Sequence, residues 1–231
     1  MSLSRTATAV IEARDVHKAY RRGPEEVNAL RSVSLMVGEG EVVVLVGPSG
    51  SGKSTLLNVL CGWESPDSGE VLWPGSPAGP AGSMADLPWG ELAVVPQSLG
   101  LIDELSVREN VQLPVRLTAR GRGADDRPER VEGLLGMFGL RQLADRQPWE
   151  ISIGEQQRTA LARALVLVPR LLLADEPTGH QDEAWGGRVL RAIRLVAERG
   201  VSCLVASHNP EAIDIADRVL RIRDGVITED R

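Results

Sequence analysis

A segment of glycines, hydroxyl side chains and one lysine at residues 47–55 has the spacing that holds phosphate groups. The letters GPSGSGKST fit the pattern G-x-x-x-x-G-K-[ST]. Glycines let the backbone wrap an anion with its N–H groups, and the N-terminus of a following helix adds a positive dipole end. We expect Lys53 to reach the β- and γ-phosphates of a nucleotide and the Ser54 hydroxyl to bind Mg²⁺. The sequence therefore predicts a nucleotide site with a magnesium ion.

Two adjacent carboxylates supply the second half of such a site. Asp175 and Glu176 follow the apolar run of residues 171–174. We expect Asp175 to hold Mg²⁺ directly or through water, and Glu176 to polarise an attacking water as a general base. A solvated acidic turn at the end of a strand is the alternative interpretation, and the phosphate-binding pattern upstream favours the catalytic one.

The elements that must position these groups alternate between strands and helices. Continuous apolar runs at residues 41–46, 171–174 and 201–206 are typical of strands buried on both faces of a parallel sheet. Residues 183–199 have the pattern of a helix, ended by Gly200, between two of these strands. This order predicts an α/β fold with a mainly parallel sheet.

The two ends of the chain have antiparallel patterns. Residues 9–20 and 27–37 are predicted to form antiparallel strands at a sheet edge. Asp224 and Gly225, between two apolar runs, indicate a hairpin. The segment 74–82, rich in proline and glycine, is predicted to be a surface loop.

The middle of the chain is predicted to be mainly helical. Ser106 and Glu109 have the spacing of a capping box that opens a helix. Pro128 suits the first position of a further helix. Residues 120–127 between them read as a charged, glycine-rich loop. These patterns predict a helical insert at residues 98–168 inside the α/β core.

Composition and length exclude several classes of protein. The 231 residues are 42% hydrophobic and 25% charged, values of a globular chain. No apolar run approaches the ~18 residues of a membrane span. Two cysteines, Cys61 and Cys203, are too few for a disulfide scaffold. A net charge of −6 without a basic tail argues against binding to nucleic acid. We expect one domain, with residues 1–97 and 169–231 forming the α/β core.

The ordered motifs, spread over residues 10–228, resemble those of the nucleotide-binding subunits of ABC transporters. Residues 47–55 are similar to the Walker A motif of that family and residues 171–176 to its Walker B motif. The resemblance implies that ATP is held by Gly47, Pro48, Ser49, Gly50, Ser51, Gly52, Lys53, Ser54 and Thr55. Residues 101–114 and 175–179 look most like the branch of macrolide exporters, lipoprotein-releasing ATPases and cell-division ATPases.

Three further residues stand at positions that the family uses around the nucleotide. Gln97 resembles the Q-loop glutamine, which contacts Mg²⁺ and the attacking water. His208 resembles the H-loop histidine, which contacts the γ-phosphate, and Tyr20 the aromatic residue that stacks on adenine. Taken alone, Tyr20 is equally compatible with edge-strand packing, and His208 with a surface or capping histidine. The order of the motifs favours the nucleotide roles.

The family's signature segment, Leu-Ser-Gly-Gly-Gln, departs from its usual form here. Residues 151–155 read ISIGE. The resemblance implies that Ser152 and Gly154 approach the phosphate held by the other subunit. Ile153 brings a β-branched side chain into a region that the family packs closely. Glu155 is favourable near a helix N-terminus but would repel ATP phosphates.

The D-loop departs as well, because His180-Gln181-Asp182 stands where related sequences have Asn-Leu-Asp. Asp182 is kept and is implied in nucleotide binding, whereas Gln181 replaces an apolar contact. These departures leave two hypotheses open. One is an active ATPase subunit, and the other is a regulatory subunit that binds ATP with little turnover.

The resemblance also implies the partners. A head-to-tail dimer, either homodimer or heterodimer, would enclose two ATP molecules with Mg²⁺ and power a separate transmembrane permease, with export or mechanotransmission favoured over import. The chain would then lie peripherally on the cytoplasmic face of the membrane. ABC ATPases that act on ribosomes or DNA are disfavoured, because the chain has one domain and no sustained heptads.

Overall fold

The computed structural model describes residues 8–23, 25–76, 87, 90–118 and 128–230. The strands of this part of the chain are β1 (Ala9–Arg22), β2 (Glu25–Gly38), β3 (Val42–Val46), β4 (Ser68–Leu72), β5 (Leu92–Val95), β6 (Leu171–Asp175), β7 (Ser202–Ser207), β8 (Arg218–Arg223) and β9 (Val226–Asp230). The α-helices are α1 (Lys53–Leu60), α2 (Val107–Thr118), α3 (Pro128–Met137), α4 (Ile153–Leu165) and α5 (Glu183–Ala197). Short 3₁₀ helices lie at Arg141–Leu143, Pro148–Glu150 and Pro210–Ile215.

The main sheet confirms the predicted α/β fold. Its order is β5-β6-β7-β3-β8-β9, and all neighbours are parallel except β8 and β9. Strand β3 shows why a continuous apolar run suits this position. Val42, Val44 and Val46 belong to the core cluster on one face of the sheet, and Val43 and Leu45 to the cluster on the other face. Both faces are therefore covered, as in a parallel sheet between helices.

The N-terminal strands correct one prediction. β1 and β2 are antiparallel, as predicted, but they do not extend the edge of the main sheet. They form a separate sheet of order β2-β1-β4, in which β4 pairs with β1. The sequence pattern missed β4 because the residues of SGEVL are exposed or half-buried and lack apolar alternation. The inner side of this sheet packs with α1 against the main sheet in one apolar cluster.

The helical patterns are confirmed with small shifts of their ends. Ser106 Oγ accepts a hydrogen bond from the Glu109 N–H at 3.2 Å, and the Glu109 carboxylate accepts one from the Ser106 N–H at 3.0 Å. Pro128 opens α3. Helix α5 ends at Ala197, two residues before the predicted end. Residues 119–127, and with them the predicted loop 120–127, lie outside the described residues. Residues 77–82 of the predicted loop 74–82 lie outside them as well.

The predicted hairpin at the C-terminal end is confirmed. Asp224 and Gly225 join β8 to β9 and have φ angles of 48° and 77°. Two successive left-handed residues are what a two-residue type I′ turn requires, and aspartate followed by glycine tolerates them. The division of the chain at residues 97 and 169 into core and helical subdomain stays a prediction. Among the described residues, no helix has the length and hydropathy needed to cross a membrane.

Candidate active site

A cleft of about 650 Å³ opens at the edge of the main sheet where the parallel strands end. Strands β3, β5, β6 and β7 all point their carboxyl ends to this edge, so the segments that follow them meet there. The lining residues are Glu26, Val27, Asn28, Ala29, Arg31, Ser49, Gly50, Gly52, Lys53, Ser54, Thr55, Gln97, Asp175, Glu176, Asp224 and Gly225. Sequence motifs identified the phosphate loop, Gln97, Asp175 and Glu176 among these lining residues. They missed the β2 residues and the Asp224–Gly225 turn, whose positions depend on how two sheets pack.

The loop between β3 and α1 needs glycine at defined positions. Gly52 has a φ of 107°, and a Cβ there would lie 2.5 Å from the carbonyl oxygen of Ala29. At Gly47 a Cβ would lie 2.3 Å from the carbonyl oxygen of Ile222. Gly50, with a φ of 78°, has open space on its Cβ side. The loop is thus pressed against β2 and β8 from behind and open toward the cleft, as a phosphate cradle requires.

Lys53 lies across this loop. Its side chain is buried, and Nζ donates hydrogen bonds to the carbonyl oxygens of Gly47 at 2.7 Å and Pro48 at 3.1 Å. The first turn of α1 contains no acidic residue, and Gly52 supplies no side chain to cap it. Its positive dipole end is therefore free to attract an anion. Ser51 is buried behind the loop, and Ser49, Ser54 and Thr55 line the cleft.

Asp175 ends β6 beside Ser54. Burial raises the pKa of this carboxyl, while a hydrogen bond from Ser54 and the charge of Lys53 oppose the rise. Oδ1 is buried and has no hydrogen-bond partner among the described residues. A buried carboxylate oxygen without a donor, next to a serine hydroxyl, fits an oxygen-ligated cation such as Mg²⁺.

Glu176 follows in a left-handed backbone conformation, with a φ of 50°. Its N–H donates to the carbonyl oxygen of Ala206 at 2.9 Å. His208 donates twice to Oε2 of Glu176, from Nδ1 at 2.8 Å and from the backbone N–H at 3.2 Å. The parallel register brings these groups together, because Asp175 pairs with Ala206 across β6 and β7. His208 therefore orients the carboxylate of Glu176, a contact that motif spacing alone did not predict.

Gln97 and Tyr20 occupy different places. Gln97 follows β5 and lines the same cleft as Asp175. Tyr20 is not among the lining residues. Its hydroxyl forms hydrogen bonds with the Glu64 carboxylate and with the side chain of Thr55, at the start of α1, and Nζ of Lys18 lies 5.6 Å from the centre of its ring. Burial, together with Glu64, raises the pKa of the Tyr20 hydroxyl to about 12. Tyr20 is 38% exposed and lies beside the phosphate loop.

The signature segment lies outside the cleft. Ser152 caps α4 by accepting from the Glu155 N–H at 3.3 Å. Oε2 of Glu155 accepts in return from the Ser152 N–H at 2.8 Å and the hydroxyl at 2.9 Å. Glu155 thus completes a capping box on its own helix, which the Ser-x-x-Glu spacing could have revealed. Ile153 is 48% exposed, so within this chain it does not enter a close-packed region.

The D-loop lies against the first turn of α4. A Cβ at Gly154 would come within 2.7 Å of the carbonyl oxygen of His180. Asp182 caps α5, since its Oδ1 accepts from the Trp185 N–H at 2.8 Å. Ser152, Gly154 and Asp182 are therefore together near the start of α4, and the structure does not bring them to the phosphate loop of the same chain.

The chain is similar in sequence to known proteins. The family model for ABC transporters matches residues 30–179. The chain is 41% identical over 218 residues to the lipoprotein-releasing system ATP-binding protein LolD of Paramagnetospirillum magneticum, and covers 96% of it with 93% of its own length. It is 40% identical over 221 residues to the macrolide export ATP-binding/permease protein MacB of Syntrophobacter fumaroxidans. That match covers 94% of this chain but 31% of MacB, so the chain spans less than a third of that relative.

Solved structures agree with this relationship. The dimeric structure of MJ0796, described as a bacterial ABC transporter cassette, matches with a TM-score of 0.85 and 33% identity, over 96% of this chain and 97% of that chain. A post-hydrolysis state of the same cassette bound to ADP and Pi matches with a TM-score of 0.85 and 32% identity over the same shares.

A phosphate loop, an acidic strand end and a glutamate–histidine pair at one sheet edge define a P-loop ATPase. The chain belongs to the ABC transporter family, in the branch that contains LolD and MacB. It is the ATP-binding and ATP-hydrolysing subunit of such a transporter. The comparisons do not favour the alternative of a regulatory subunit with little turnover.

Proposed function

We propose that this chain hydrolyses ATP through Glu176, as one half of a dimer that powers a separate membrane permease. The observation that carries the proposal is the Glu176 carboxylate, held by His208 at the mouth of the phosphate loop. Both hydrogen bonds from His208 go to Oε2, which leaves Oε1 to accept a proton from a water molecule. Because His208 already fixes the carboxylate of Glu176, this side chain would not have to move to act as the base.

Residues in the cleft and beside it share the binding of the nucleotide and of Mg²⁺. The N–H groups of residues 47–55 and Nζ of Lys53 would hold the phosphates, and Asp175, Ser54 and Gln97 would hold Mg²⁺. When bound, Mg²⁺ neutralises charge on the phosphate oxygens. To contact a phosphate, Nζ of Lys53 would give up its hydrogen bonds to the carbonyl oxygens of Gly47 and Pro48. The ring of Tyr20 would stack on adenine. His208 holds Glu176 in place.

A dimer is proposed because one chain holds only part of this machinery. Ser152 and Gly154 lie at the start of α4 and Asp182 lies at the start of α5, away from the cleft of their own chain. A second subunit in head-to-tail orientation would place its Ser152 hydroxyl and Gly154 N–H against the phosphates. Glu155 supports this role by completing the cap that fixes Ser152. Identical or different second subunits both satisfy the geometry.

The permease partner and the location rest on the relatives. LolD is named as part of a lipoprotein-releasing system, and MacB as an export ATP-binding/permease protein. We propose that this chain likewise works with membrane-spanning segments, on the cytoplasmic face of the membrane, and that it acts in export or mechanotransmission. Its net charge of −6 gives no reason to invoke nucleic acid.

Assembly on ATP tests the proposal. We expect Glu176→Gln to form a dimer with ATP and Mg²⁺ but not with ADP, measured by size-exclusion chromatography with light scattering. Lys53→Ala is the matched control, since it removes a phosphate contact and should stay monomeric with either nucleotide. A tagged wild-type chain recovered from membranes should carry a multi-span protein with it. A dimer that ignores nucleotide, or none at all, would contradict the proposal.

A further inference from the structure

A second cluster of polar side chains lies behind the catalytic edge, on the side of α4. Gln157 and Arg158 of α4 are 2% and 5% exposed, which is unusual for such side chains. They meet Gln181 of the loop between β6 and α5. We refer to the pair Gln157 and Gln181 as the glutamine bridge. None of its atoms belongs to the phosphate cleft described above.

The first half of the bridge acts on the backbone of Glu176. Nε2 of Gln157 donates to the carbonyl oxygen of Glu176 at 2.6 Å, and the same oxygen accepts from the Gly179 N–H at 3.0 Å. Glu176 has a φ of 50°, a backbone conformation that is strained for a non-glycine residue and persists only where neighbouring groups impose it. The donor from Gln157 helps to impose it.

The second half joins this contact to the loop and to α4. Oε1 of Gln157 accepts from Nε2 of Gln181 at 3.0 Å and from the His180 N–H at 3.3 Å. Nε2 of Gln181 also donates to the carbonyl oxygen of Gly154 at 2.8 Å. The loop of residues 179–182 is thereby tied to the first turn of α4 by side chains as well as by close packing.

The bridge is itself held from outside. Oε1 of Gln181 accepts from Nη1 of Arg158 at 2.8 Å. Arg158 donates from Nε to the carbonyl oxygen of Phe138 at 3.0 Å and lies 3.9 Å from the centre of the Trp185 ring. An apolar residue at position 181 would form none of these hydrogen bonds. Oε1 of Gln157 would then keep only the hydrogen bond from the His180 N–H at 3.3 Å.

We propose that Gln157 and Gln181 are positioning residues for Glu176, which keep its backbone in the left-handed conformation that aims the carboxylate at the cleft. The inference rests on the proposed role of Glu176 as the catalytic base. A displacement of a catalytic group by about 1 Å can cost about a hundredfold in rate. Partial release of the Glu176 backbone should therefore lower turnover at least about tenfold without loss of ATP binding.

The variants are Gln181→Leu, in the partly exposed half of the bridge, and Gln157→Leu, in its buried half. Gln156→Leu is the matched control. Gln156 precedes Gln157 on the same helix turn, and its Nε2 donates to the carbonyl oxygen of Pro148 at 2.8 Å, away from Glu176. Gln181→Leu keeps the proposal testable if Gln157→Leu does not fold.

The first readout is amide hydrogen exchange of residues 176–181 in the nucleotide-free protein. We expect about tenfold faster exchange in both bridge variants and wild-type exchange in Gln156→Leu, because only the bridge variants remove hydrogen bonds that hold this segment closed. The second readout is steady-state kinetics. We expect kcat to fall about tenfold in the bridge variants, with KM and the affinity for a non-hydrolysable ATP analogue unchanged.

Unchanged exchange in both bridge variants would overturn the inference, and so would an equal fall of kcat in Gln156→Leu. A rise in KM that matches the loss of kcat/KM would also overturn it, since that pattern belongs to a damaged nucleotide site. If wild type itself releases no phosphate, or Glu176→Gln releases it normally, the proposed role of Glu176 fails. The exchange experiment then still decides whether the bridge holds the loop.

Discussion

Replacing Asp175 by asparagine tests whether its buried carboxylate is a vacant ligand for a cation. The side chain is 7% exposed, Oδ1 has no partner among the described residues, and burial raises its pKa against the opposing effects of Ser54 and Lys53. Burial is therefore the largest effect, and the ionised form destabilises the nucleotide-free protein at neutral pH. We expect Asp175→Asn to be more stable than wild type in the absence of Mg²⁺ and nucleotide.

The magnitude follows from the buried oxygen. Asparagine keeps a buried polar group but removes its charge, and burying a charge costs more than burying a neutral amide. Because asparagine also gives up the attraction to Lys53, we expect a net gain of about 1 kcal/mol. For a chain of this length, about 1 kcal/mol raises Tm by about 2–4 °C. Because the folded-state pKa is raised, the folded protein binds more protons than the unfolded chain as pH falls toward the ordinary range of aspartate. Lowering the pH should therefore stabilise the wild type, and the difference in stability between Asp175→Asn and wild type should become smaller.

Thermal unfolding of both proteins between pH 7 and pH 5 measures this difference. Glu176→Gln is the matched control, since it removes the same charge at the next residue. The Glu176 side chain is 14% exposed and, unlike Oδ1 of Asp175, is already paired with His208. With Mg²⁺ and ATP the order should reverse, because wild type gains binding free energy that Asp175→Asn cannot. Equal or lower stability of nucleotide-free Asp175→Asn at pH 7 would refute the reasoning.

Three further predictions each compare two variants. Glu155→Ala removes one half of the capping box and should lower the free energy of unfolding by about 1 kcal/mol in chemical denaturation, whereas Glu155→Gln should keep wild-type stability. Equal free energies of unfolding for the two variants would contradict the capping role. Gly52→Ala should abolish ATP binding in equilibrium dialysis, while Gly133→Ala in α3, with open space at its Cβ, should bind normally and gain about 0.5–1 kcal/mol of stability. Tyr20→Phe loses the hydrogen bond to Glu64 but keeps the ring, so its affinity for ATP should fall far less than that of Tyr20→Ala, and equal losses would argue against stacking.

The phosphate loop and the acidic strand end could be predicted because their chemistry depends on neighbours in the chain. Glycine, lysine and serine at fixed spacing specify a loop and a helix start, and an apolar run ending in two carboxylates specifies a strand end. The parallel strands could likewise be predicted from buried runs such as β3. These inferences needed no knowledge of how distant segments pack.

What could not be predicted depends on contacts between distant segments. The left-handed Glu176 and its hydrogen bonds from His208 and Gln157 join residues 19–32 positions apart. The separate sheet of β1, β2 and β4 requires the pairing of β4, whose sequence has no apolar alternation. Glu155 is a different case, because the Ser-x-x-Glu spacing of its capping box is a local pattern and needs no contact between distant segments. The expectation for Glu155 considered its charge and not this spacing.

The most direct test of the central claim is the rate of phosphate release from saturating Mg²⁺-ATP by wild type and Glu176→Gln, with bound ATP counted in both. A general base contributes about 10²–10⁴-fold. We therefore expect wild type to turn over, and the variant to bind ATP at the same stoichiometry but release phosphate at least about a hundredfold more slowly. Equal rates in the two proteins would contradict the account, because Glu176 would then not be the group that activates water.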